Sequence, residues 1–253
     1  MPWRLNLDPY AIVVSEIMLQ QTQVDRVIPK FTAWLKKFPD WAALAKAPLP
    51  AVLQQWQGLG YNRRALSLQR CAEAVANEWG GRLPREEEKL VALPGIGPYT
   101  AGAIRAFAFN EPDVVIETNI RGVFLHHFFS DQTNIADQEL VPLVAKALDA
   151  ERPREWYWAL MDYGAYLKKT AGNPARRSKH HARQAAFAGS NREVRGAIVR
   201  ILTRESFITY DALQASLRDE GIKALRINQA LAELESEGFV SRNNKQKTIS
   251  LAR

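Results

Sequence analysis

Residues 86–109 read EEEKLVALPGIGPYTAGAIRAFAF and carry the clearest local structural signal in the chain. Apolar residues recur at helical spacing on both sides of the segment LPGIGP, which predicts helices over 86–93 and 98–109 joined by a tight turn. Gly95 and Gly97 permit a narrow turn whose backbone N–H groups, together with the N-terminus of the second helix, can point at one phosphate. The stretch therefore predicts a phosphate-binding unit that does not depend on base sequence.

The chain around this unit is helical in pattern from residue 8 to about 188, because apolar residues recur at spacings of three and four. Asp8 and Pro9 are typical of a helix start, with Asp8 as the N-cap and Pro9 in the first turn. Further helices are predicted at 25–38, 40–46, 49–56, 62–79, 117–129, 137–150, 153–167 and 175–187. Many short helices with almost no strand indicate an all-α core.

A different pattern follows Gly189 and predicts a separate module at 190–253. Three helices are expected at 192–204, 209–220 and 224–237, and FVSRNNKQKTISLA then alternates around Asn243–Asn244 like a two-stranded hairpin. Three short helices closed by a basic hairpin resemble a winged-helix module. The alternative is a small helical cap that packs on the core.

Composition limits the classes of function that the chain can have. The single cysteine, Cys71, excludes an intrachain disulfide and a four-thiolate cluster. No apolar segment approaches the ~20 residues that span a bilayer, and the N-terminus lacks the pattern of a signal peptide, so we expect a soluble intracellular protein. The 34 Lys and Arg residues exceed the 27 Asp and Glu residues, and the net charge of +7 favours a polyanionic partner.

Four stretches carry a resemblance to a known family. They are DPYAIVVSEIMLQQTQV (8–24), WQGLGYNRRA (56–65), LPGIGPYTAGAI (93–104) and VVIETNIRGV (114–123). The third resembles the helix-hairpin-helix of the base-excision DNA glycosylase superfamily. Together, in this order, the four resemble the A/G-specific adenine DNA glycosylase (MutY-like) branch, over a segment from Trp3 to about residue 187.

The resemblance implies a fold, a partner and an enzyme class. The expected fold is a two-lobed, all-α core, with one lobe formed by 1–21 plus 124–188 and the other by 22–123, followed by the winged-helix-like module. The expected partner is double-stranded DNA with a mispaired or damaged base, bound by a monomer in the cytoplasm and associated with the nucleoid.

Glu16 is the acid that the resemblance nominates for protonating the purine. The residues agree, because a carboxylate flanked by Ile12, Val13 and Ile17 is desolvated, and desolvation raises its pKa. Such a group can hold a proton near neutral pH and act as a general acid, and protonation at N7 makes adenine a better leaving group.

Gln20 and Gln21 follow this acid, and their positions leave two structures open. If the helix continues, Gln20 and Gln23 lie near the same face as Glu16. If the helix ends near Gln20, the amides form a loop at the minor groove. The resemblance implies the loop, in which Gln20 or Gln21 fills the gap left by a flipped nucleotide.

Glu117 stands where the resemblance implies an aspartate that stabilises the oxocarbenium sugar and helps to position water. The alternative is a helix-start acid that pairs with Arg121 at i+4. Asn119 and Arg121 follow it, and the resemblance implies that Arg121 meets phosphate. Related bifunctional enzymes carry a lysine where this chain has Tyr99, so we expect base release without lyase chemistry.

The remaining predicted DNA contacts lie on several segments. Tyr99 either stacks on the base or fills core beside Ala103 and Phe107, and Thr100 is included with the hairpin. Tyr61 is expected to insert at the base opposite the flipped nucleotide, and Arg63 and Arg64 are expected to contact the DNA backbone. The segment where relatives bind an iron–sulfur cluster has no cysteine here and carries a set of cations that can meet phosphates. These are Lys168, Lys169, Arg176, Arg177, Lys179 and Arg183.

The resemblance, together with the residues around Glu16, implies a monofunctional, metal-free DNA glycosylase with Glu16 as acid and Glu117 as charge stabiliser. Adenine opposite G or 8-oxoguanine is the expected target. Residues 190–253 are too short for the domain with which adenine glycosylases recognise 8-oxoguanine. Two alternatives stay open: a uracil/thymine mismatch glycosylase, and an inactive DNA-binding protein in which Glu117 marks the loss of chemistry.

Overall fold

The computed structural model describes residues 1–181, 186–205, 207–243 and 245–252. This part of the chain is mainly helical, as predicted, with one small sheet. The helices are α1 (Pro9–Leu19), α2 (Val24–Lys37), α3 (Trp41–Ala45), α4 (Leu49–Trp56), α5 (Arg63–Glu78), α6 (Glu87–Val91), α7 (Pro98–Phe109), α8 (Thr118–Phe128), α9 (Asp137–Ala147), α10 (Pro153–Thr170), α11 (Asn191–Arg204), α12 (Tyr210–Asp219) and α13 (Ala224–Ser236). The strands are β1 (Ile208–Thr209), β2 (Val240–Asn243) and β3 (Thr248–Leu251), and 3₁₀ helices span Pro2–Arg4 and Pro174–Arg177. In the described part of the chain, no helix combines the length and the apolarity needed to cross a membrane.

The start of α1 follows the predicted capping pattern. The Asp8 carboxylate accepts hydrogen bonds from the backbone N–H groups of Tyr10 at 2.8 Å and Ala11 at 3.4 Å, and Pro9 occupies the first position, where no N–H is needed. The cap fixes where α1 begins and therefore which of its residues face the core.

The predicted helix at 175–187 is wrong for the residues that the structure describes. The chain forms the 3₁₀ turn Pro174–Arg177 and then pairs with Ile135 as a parallel bridge at Ser178. The Ile135 N–H donates to the carbonyl of Arg177 at 3.1 Å, and the N–H of Lys179 donates to the carbonyl of Ile135 at 2.8 Å. These bonds use backbone groups that a helix would need. Residues 182–185 lie outside the described residues.

The C-terminal module has the order helix, strand, two helices, hairpin. Its sheet is antiparallel with the order β1-β3-β2, and Val240 pairs with Leu251 at one end of the hairpin. The predicted winged-helix-like fold and hairpin are confirmed, whereas β1 was not predicted because two residues carry no readable alternation. Helix α11 also packs against α4, so the module rests on the helical core as well.

The chain divides into two compact units. One comprises Met1–Pro2, Ile17–Arg82 and Ala185–Arg253, and the other comprises Trp3–Glu16 and Leu83–Gln184. The hairpin of 86–109 falls in the second unit with α8–α10, and the lobes inferred from the resemblance stay a prediction. The reason lies in packing, because α7 and α8 both contact α10.

The core of the second unit positions the start of α8. Phe107, Ile120 and Tyr157 are buried together. The Tyr157 hydroxyl donates to the carbonyl of Asp113 at 2.6 Å and accepts from the N–H of Val115 at 2.8 Å. This aromatic side chain therefore ties the segment before α8 to α10.

Candidate active site

Glu16 lies in the middle of α1 among buried apolar side chains. Val13, Ile17 and Met18 are almost fully buried, while Glu16 itself keeps partial access to solvent. Desolvation, followed by the charge of Glu117, raises the pKa of the Glu16 carboxyl to about 8. The side chain therefore holds its proton at neutral pH, as the sequence predicts.

Glu117 caps α8 with its own carboxylate. Its Oε1 accepts from the backbone N–H groups of Asn119 at 2.6 Å and Ile120 at 2.8 Å, and Oε2 lies 3.4 Å from the Asn119 side-chain amide. Burial raises the pKa of Glu117, whereas these hydrogen bonds and the charge of Arg121 act in the opposite direction. The extra methylene of Glu relative to Asp is thus accommodated by a carboxylate that folds back over its own helix N-terminus.

Arg121 does not form the i+4 ion pair with Glu117 that was the alternative interpretation, and its contact with phosphate stays a prediction. Its guanidinium makes a bidentate pair with Asp137 at the start of α9, with both N···O distances at 2.7 Å, and the pair lowers the pKa of Asp137. Arg121 is therefore held in an ion pair within the second unit, and its positive charge still acts to lower the pKa of Glu117. Sequence reasoning missed Asp137, whose position at a helix start was its only signal.

Tyr99 sits in the first turn of α7 and is 41% exposed, so it does not fill the core beside Ala103 and Phe107. Desolvation and then the charges of Glu16 and Glu117 raise its pKa well above the ordinary value. The structure therefore brings Glu16, Tyr99 and Glu117 into one electrostatic neighbourhood within the second unit. The neighbourhood contains a protonated acid, a capped carboxylate and an exposed aromatic ring.

The turn between α6 and α7 uses its two glycines for different reasons. Gly95 has a φ of +82°, which only glycine adopts without strain. Gly97 has an ordinary φ of −95°, and a Cβ built on it would meet no atom within 4 Å. The fold therefore requires Gly95 but leaves the space beside Gly97 open at the N-terminus of α7. Thr100, one turn on, is buried.

Replacing Gly97 by Val is expected to weaken binding to every DNA duplex by about tenfold without lowering the melting temperature, because the new side chain would occupy space that a phosphate needs. Gly95→Val is the contrasting variant, and it should destabilise the fold through its positive φ. Fluorescence anisotropy on matched and mismatched duplexes, with thermal melts, checks both. If Gly97→Val bound DNA with unchanged affinity, the N-terminus of α7 would not be a phosphate-binding site.

The glutamines after Glu16 form a turn. Helix α1 ends at Leu19, Gln20 is half-buried, and Gln21 is exposed with a left-handed φ of +56°. The structure thus selects the second of the two arrangements left open by the sequence. Within it, Gln21 is the more accessible amide.

Arg64 holds this turn in place. Its guanidinium donates to the carbonyls of Ile17 at 2.7 Å and Met18 at 3.0 Å, and to that of Gln20, so it caps the C-terminus of α1. It also donates to the carbonyls of Leu59 at 3.2 Å and Gly60 at 3.1 Å. Burial lowers the pKa of Arg64 to about 10. The structure therefore shows a half-buried Arg64 that binds carbonyls of its own chain. Its contact with the DNA backbone stays a prediction.

Tyr61 and Arg63 precede this half-buried arginine in the chain, and both are exposed. Arg63 forms a salt bridge with Glu237 at 2.6 Å, and its side chain is 68% exposed. Tyr61 is 39% exposed and lies beside two guanidinium groups, those of Arg64 and Arg192. Sequence reasoning missed Arg192, which comes from the C-terminal module.

With this geometry in view, a model of the HhH-GPD superfamily of base excision DNA repair proteins matches residues 14–145 of the chain. The chain belongs to this superfamily. The match contains the second half of α1, the hairpin and the start of α8, and it therefore includes both Glu16 and Glu117. Family membership confirms the expected class of helix-hairpin-helix DNA glycosylase fold.

This HhH-GPD protein is similar in sequence to adenine DNA glycosylases and in structure to a thymine-DNA glycosylase. It is 34% identical to the adenine DNA glycosylase of Mycolicibacterium smegmatis over 80% of this chain and 75% of that relative. It is 35% identical to the adenine DNA glycosylase of Buchnera aphidicola over 66% of this chain and 48% of that relative. A solved thermostable thymine-DNA glycosylase superposes with a TM-score of 0.59 and 28% identity, over 65% of this chain and 77% of that one. The chain thus spans about half the length of the Buchnera relative.

The basic segment of this HhH-GPD protein does not fit an iron–sulfur cluster. The chain has one cysteine, Cys71, which is buried in α5 with a thiol pKa raised to about 12 by desolvation. The segment is instead held by packing of Pro174–Arg177 against α8 and by the bridge to Ile135. Its exposed cations are Lys168, Lys169, Arg176 and Lys179, whereas Arg177 is half-buried and donates to the carbonyl of Leu125 at 3.2 Å. Arg183 lies outside the described residues.

Proposed function

We propose that this protein is a monofunctional DNA glycosylase that releases mispaired adenine, opposite G or 8-oxoguanine, from double-stranded DNA. One observation carries the proposal: Glu16 lies among buried apolar side chains, where desolvation and the nearby Glu117 raise its pKa to about 8. Purine release needs an acid that is protonated at neutral pH. The similarity to relatives named adenine DNA glycosylase supports adenine as the base.

In the first half of the reaction, Glu16 donates its proton to N7 of the flipped adenine. The bond between C1′ and N9 then breaks, and its electron pair leaves with the base, which departs neutral because it carries the added proton. Without that proton the base would leave as an anion, at a much higher barrier. The charge developing on the sugar is positive.

In the second half, the Glu117 carboxylate stabilises the oxocarbenium sugar and orients water. Its cap at α8 fixes the carboxylate in place before the reaction, so no reorganisation is needed. Water adds to C1′, its proton passes to the carboxylate pair, and Glu16 regains a proton. The products are adenine and an abasic site.

Tyr99 supports base release without strand cleavage. Lyase chemistry needs an amine that forms a Schiff base with the sugar, and a phenol does not supply one. The exposed ring of Tyr99, close to both carboxylates, suits stacking on the extruded base.

DNA binding is assigned to the segments that remain accessible. The open N-terminus of α7 at Gly97 receives a phosphate, Gln21 fills the gap left by the flipped nucleotide, and Tyr61 contacts the opposite base. The exposed cations of the basic segment add contacts to phosphate. We propose that a metal-free monomer carries this out in the cytoplasm, on nucleoid DNA.

The rate of base release is expected to fall about tenfold per pH unit above pH 8, because Glu16 must be protonated and loses its proton as pH rises through its raised pKa. At low pH the rate should fall as well, when Glu117 becomes protonated through its own raised pKa. Single-turnover rates from pH 5 to pH 10 measure both limbs. Binding of a duplex with an uncleavable abasic analogue is the control, and a rate that stays constant from pH 8 to pH 10 would contradict the role of Glu16.

A duplex panel tests the proposal as a whole. Duplexes with A opposite G, 8-oxoguanine and C, and with U or T opposite G, are incubated with the full chain, and released base is quantified. Release of adenine supports the proposal. Release of T or U instead would favour the mismatch glycosylase suggested by the similarity to the thymine-DNA glycosylase structure. No release from any duplex would leave a DNA-binding protein without catalysis.

A further inference from the structure

We propose that Arg192 of the C-terminal module positions Tyr61 and thereby sets the discrimination of the base opposite the target. The inference rests on the proposed function, because it assigns Tyr61 to the opposite base. The contact itself is direct: Nη1 of Arg192 donates to the Tyr61 hydroxyl at 2.7 Å, and the guanidinium lies 5.5 Å from the ring centroid. Both residues belong to the first compact unit.

Tyr61 needs such support because its backbone is strained. Its φ is +48°, a left-handed value that bulky side chains rarely adopt, and it follows Gly58 at +90° and Gly60 at +75°. A turn of this kind aims the side chain away from the path of an ordinary strand or helix. Strained aromatic residues of this type persist where surrounding contacts hold them, and they cluster at functional sites.

Two guanidinium groups hold the ring. The Arg64 guanidinium lies 5.5 Å from the ring centroid and is fixed by carbonyls of Ile17 and Met18. Arg192 supplies the second contact with the ring and also donates a hydrogen bond to the hydroxyl. Because Arg64 already serves the fold, Arg192 is the partner that can be changed without releasing the end of α1.

Arg192 is itself held by the module that carries it. It lies in the first turn of α11, where Ser190 caps the helix and Arg195 pairs with Glu233 at 3.1 Å and Glu237 at 2.6 Å. Glu237 also pairs with Arg63 at the start of α5, two residues from Tyr61. The module is thereby joined by charge pairs to the segment that bears the tyrosine. The contribution of the C-terminal module to the reaction is to fix the orientation of the Tyr61 ring.

The test measures opposite-base preference in binding, without requiring catalysis. Full-length protein is titrated with duplexes that carry a tetrahydrofuran abasic analogue opposite G or opposite C, and the ratio of the two Kd values is compared among variants. Arg192→Met, which keeps the apolar stem, is expected to reduce the preference about threefold to tenfold, the effect of losing one charge-assisted hydrogen bond. Arg192→Lys should retain part of it. Arg200→Met is the matched control, since Arg200 lies on the same helix and pairs with Glu220 instead.

A double-mutant cycle with Tyr61→Phe identifies the route of the effect. If Arg192 acts through the tyrosine hydroxyl, the double variant should discriminate no worse than Arg192→Met alone. Additive losses would overturn the proposal, as would equal weakening on both duplexes or an unchanged ratio in Arg192→Met. If Arg192→Met does not fold, Arg192→Lys and Tyr61→Phe decide the question. Failure of the proposed function would show separately, as absence of base release with the binding preference intact.

Discussion

Glu16→Gln is expected to reduce the rate of base release by a factor of about 10²–10⁴ while leaving DNA binding unchanged. Gln keeps the size of the side chain but cannot donate a carboxylic proton to the base, and general acid catalysis contributes about this much. Single-turnover release from an A·G duplex measures the rate, and anisotropy measures binding. Glu73→Gln, at an exposed position of α5, is the control and should leave both unchanged.

The same substitution should stabilise the folded protein at high pH. The pKa of Glu16 is raised from 4.5 to about 8, so its favourable contribution is present below its unfolded value and is lost as pH rises through the folded value. This difference corresponds to an upper bound of about 4–5 kcal/mol above pH 8, and with partial solvent access we expect Gln to add about 1–3 kcal/mol to the free energy of unfolding. Chemical denaturation at pH 6 and pH 9 measures it. A variant that is less stable than the wild type at pH 9, or one that still releases adenine at the wild-type rate, would show that Glu16 is not a desolvated acid.

Gly164→Ala is expected to reduce base release about a hundredfold, through a residue that does not touch the substrate. A Cβ at Gly164 on α10 would lie 2.7 Å from the carbonyl carbon of Asn119 and still closer to its oxygen. Backbone cannot yield as a flexible side chain does, so the first turn of α8 must shift, together with the Glu117 carboxylate that caps it. A displacement of about 1 Å costs on the order of a hundredfold in rate, and overpacking costs about 1–3 kcal/mol of stability.

Gly122→Ala is the matched control for this prediction. Gly122 lies on α8, and its added Cβ would meet only the backbone N of Ala175, at an ordinary 3.9 Å. The control should keep near wild-type rates. If Gly164→Ala also kept the wild-type rate, then the position of the α8 N-terminus would not limit the reaction.

The sequence was sufficient to predict the parts of the site whose structure depends on residues adjacent in the chain. Asp8 and Pro9 predicted the start of α1, and the apolar run around Glu16 predicted a raised pKa, of which desolvation is the largest cause. The positive φ at Gly95 was likewise implied by the narrow turn.

Contacts between distant segments could not be predicted in this way. Arg64 reaches carbonyls more than 40 residues earlier in the chain, and nothing local separates such an arginine from one that meets DNA phosphate. The same is true of Arg121, which was free to pair with Glu117 at i+4 and pairs with Asp137 instead. The helix expected after Pro174 failed because Ile135, some 40 residues away, takes its backbone hydrogen bonds.

The arrangement around Arg64 ties the behaviour of two segments together. The Arg64 guanidinium donates to carbonyls both at the end of α1 and in the turn before Tyr61. A side chain with fewer hydrogen-bond donors could not make all of these bonds. Opening of either segment would leave carbonyl oxygens of the other without their Arg64 donor, so we expect the segments that carry Gln21 and Tyr61 to open together. We therefore expect motions at these two places, about 40 residues apart in the chain, to be correlated through the Arg64 side chain.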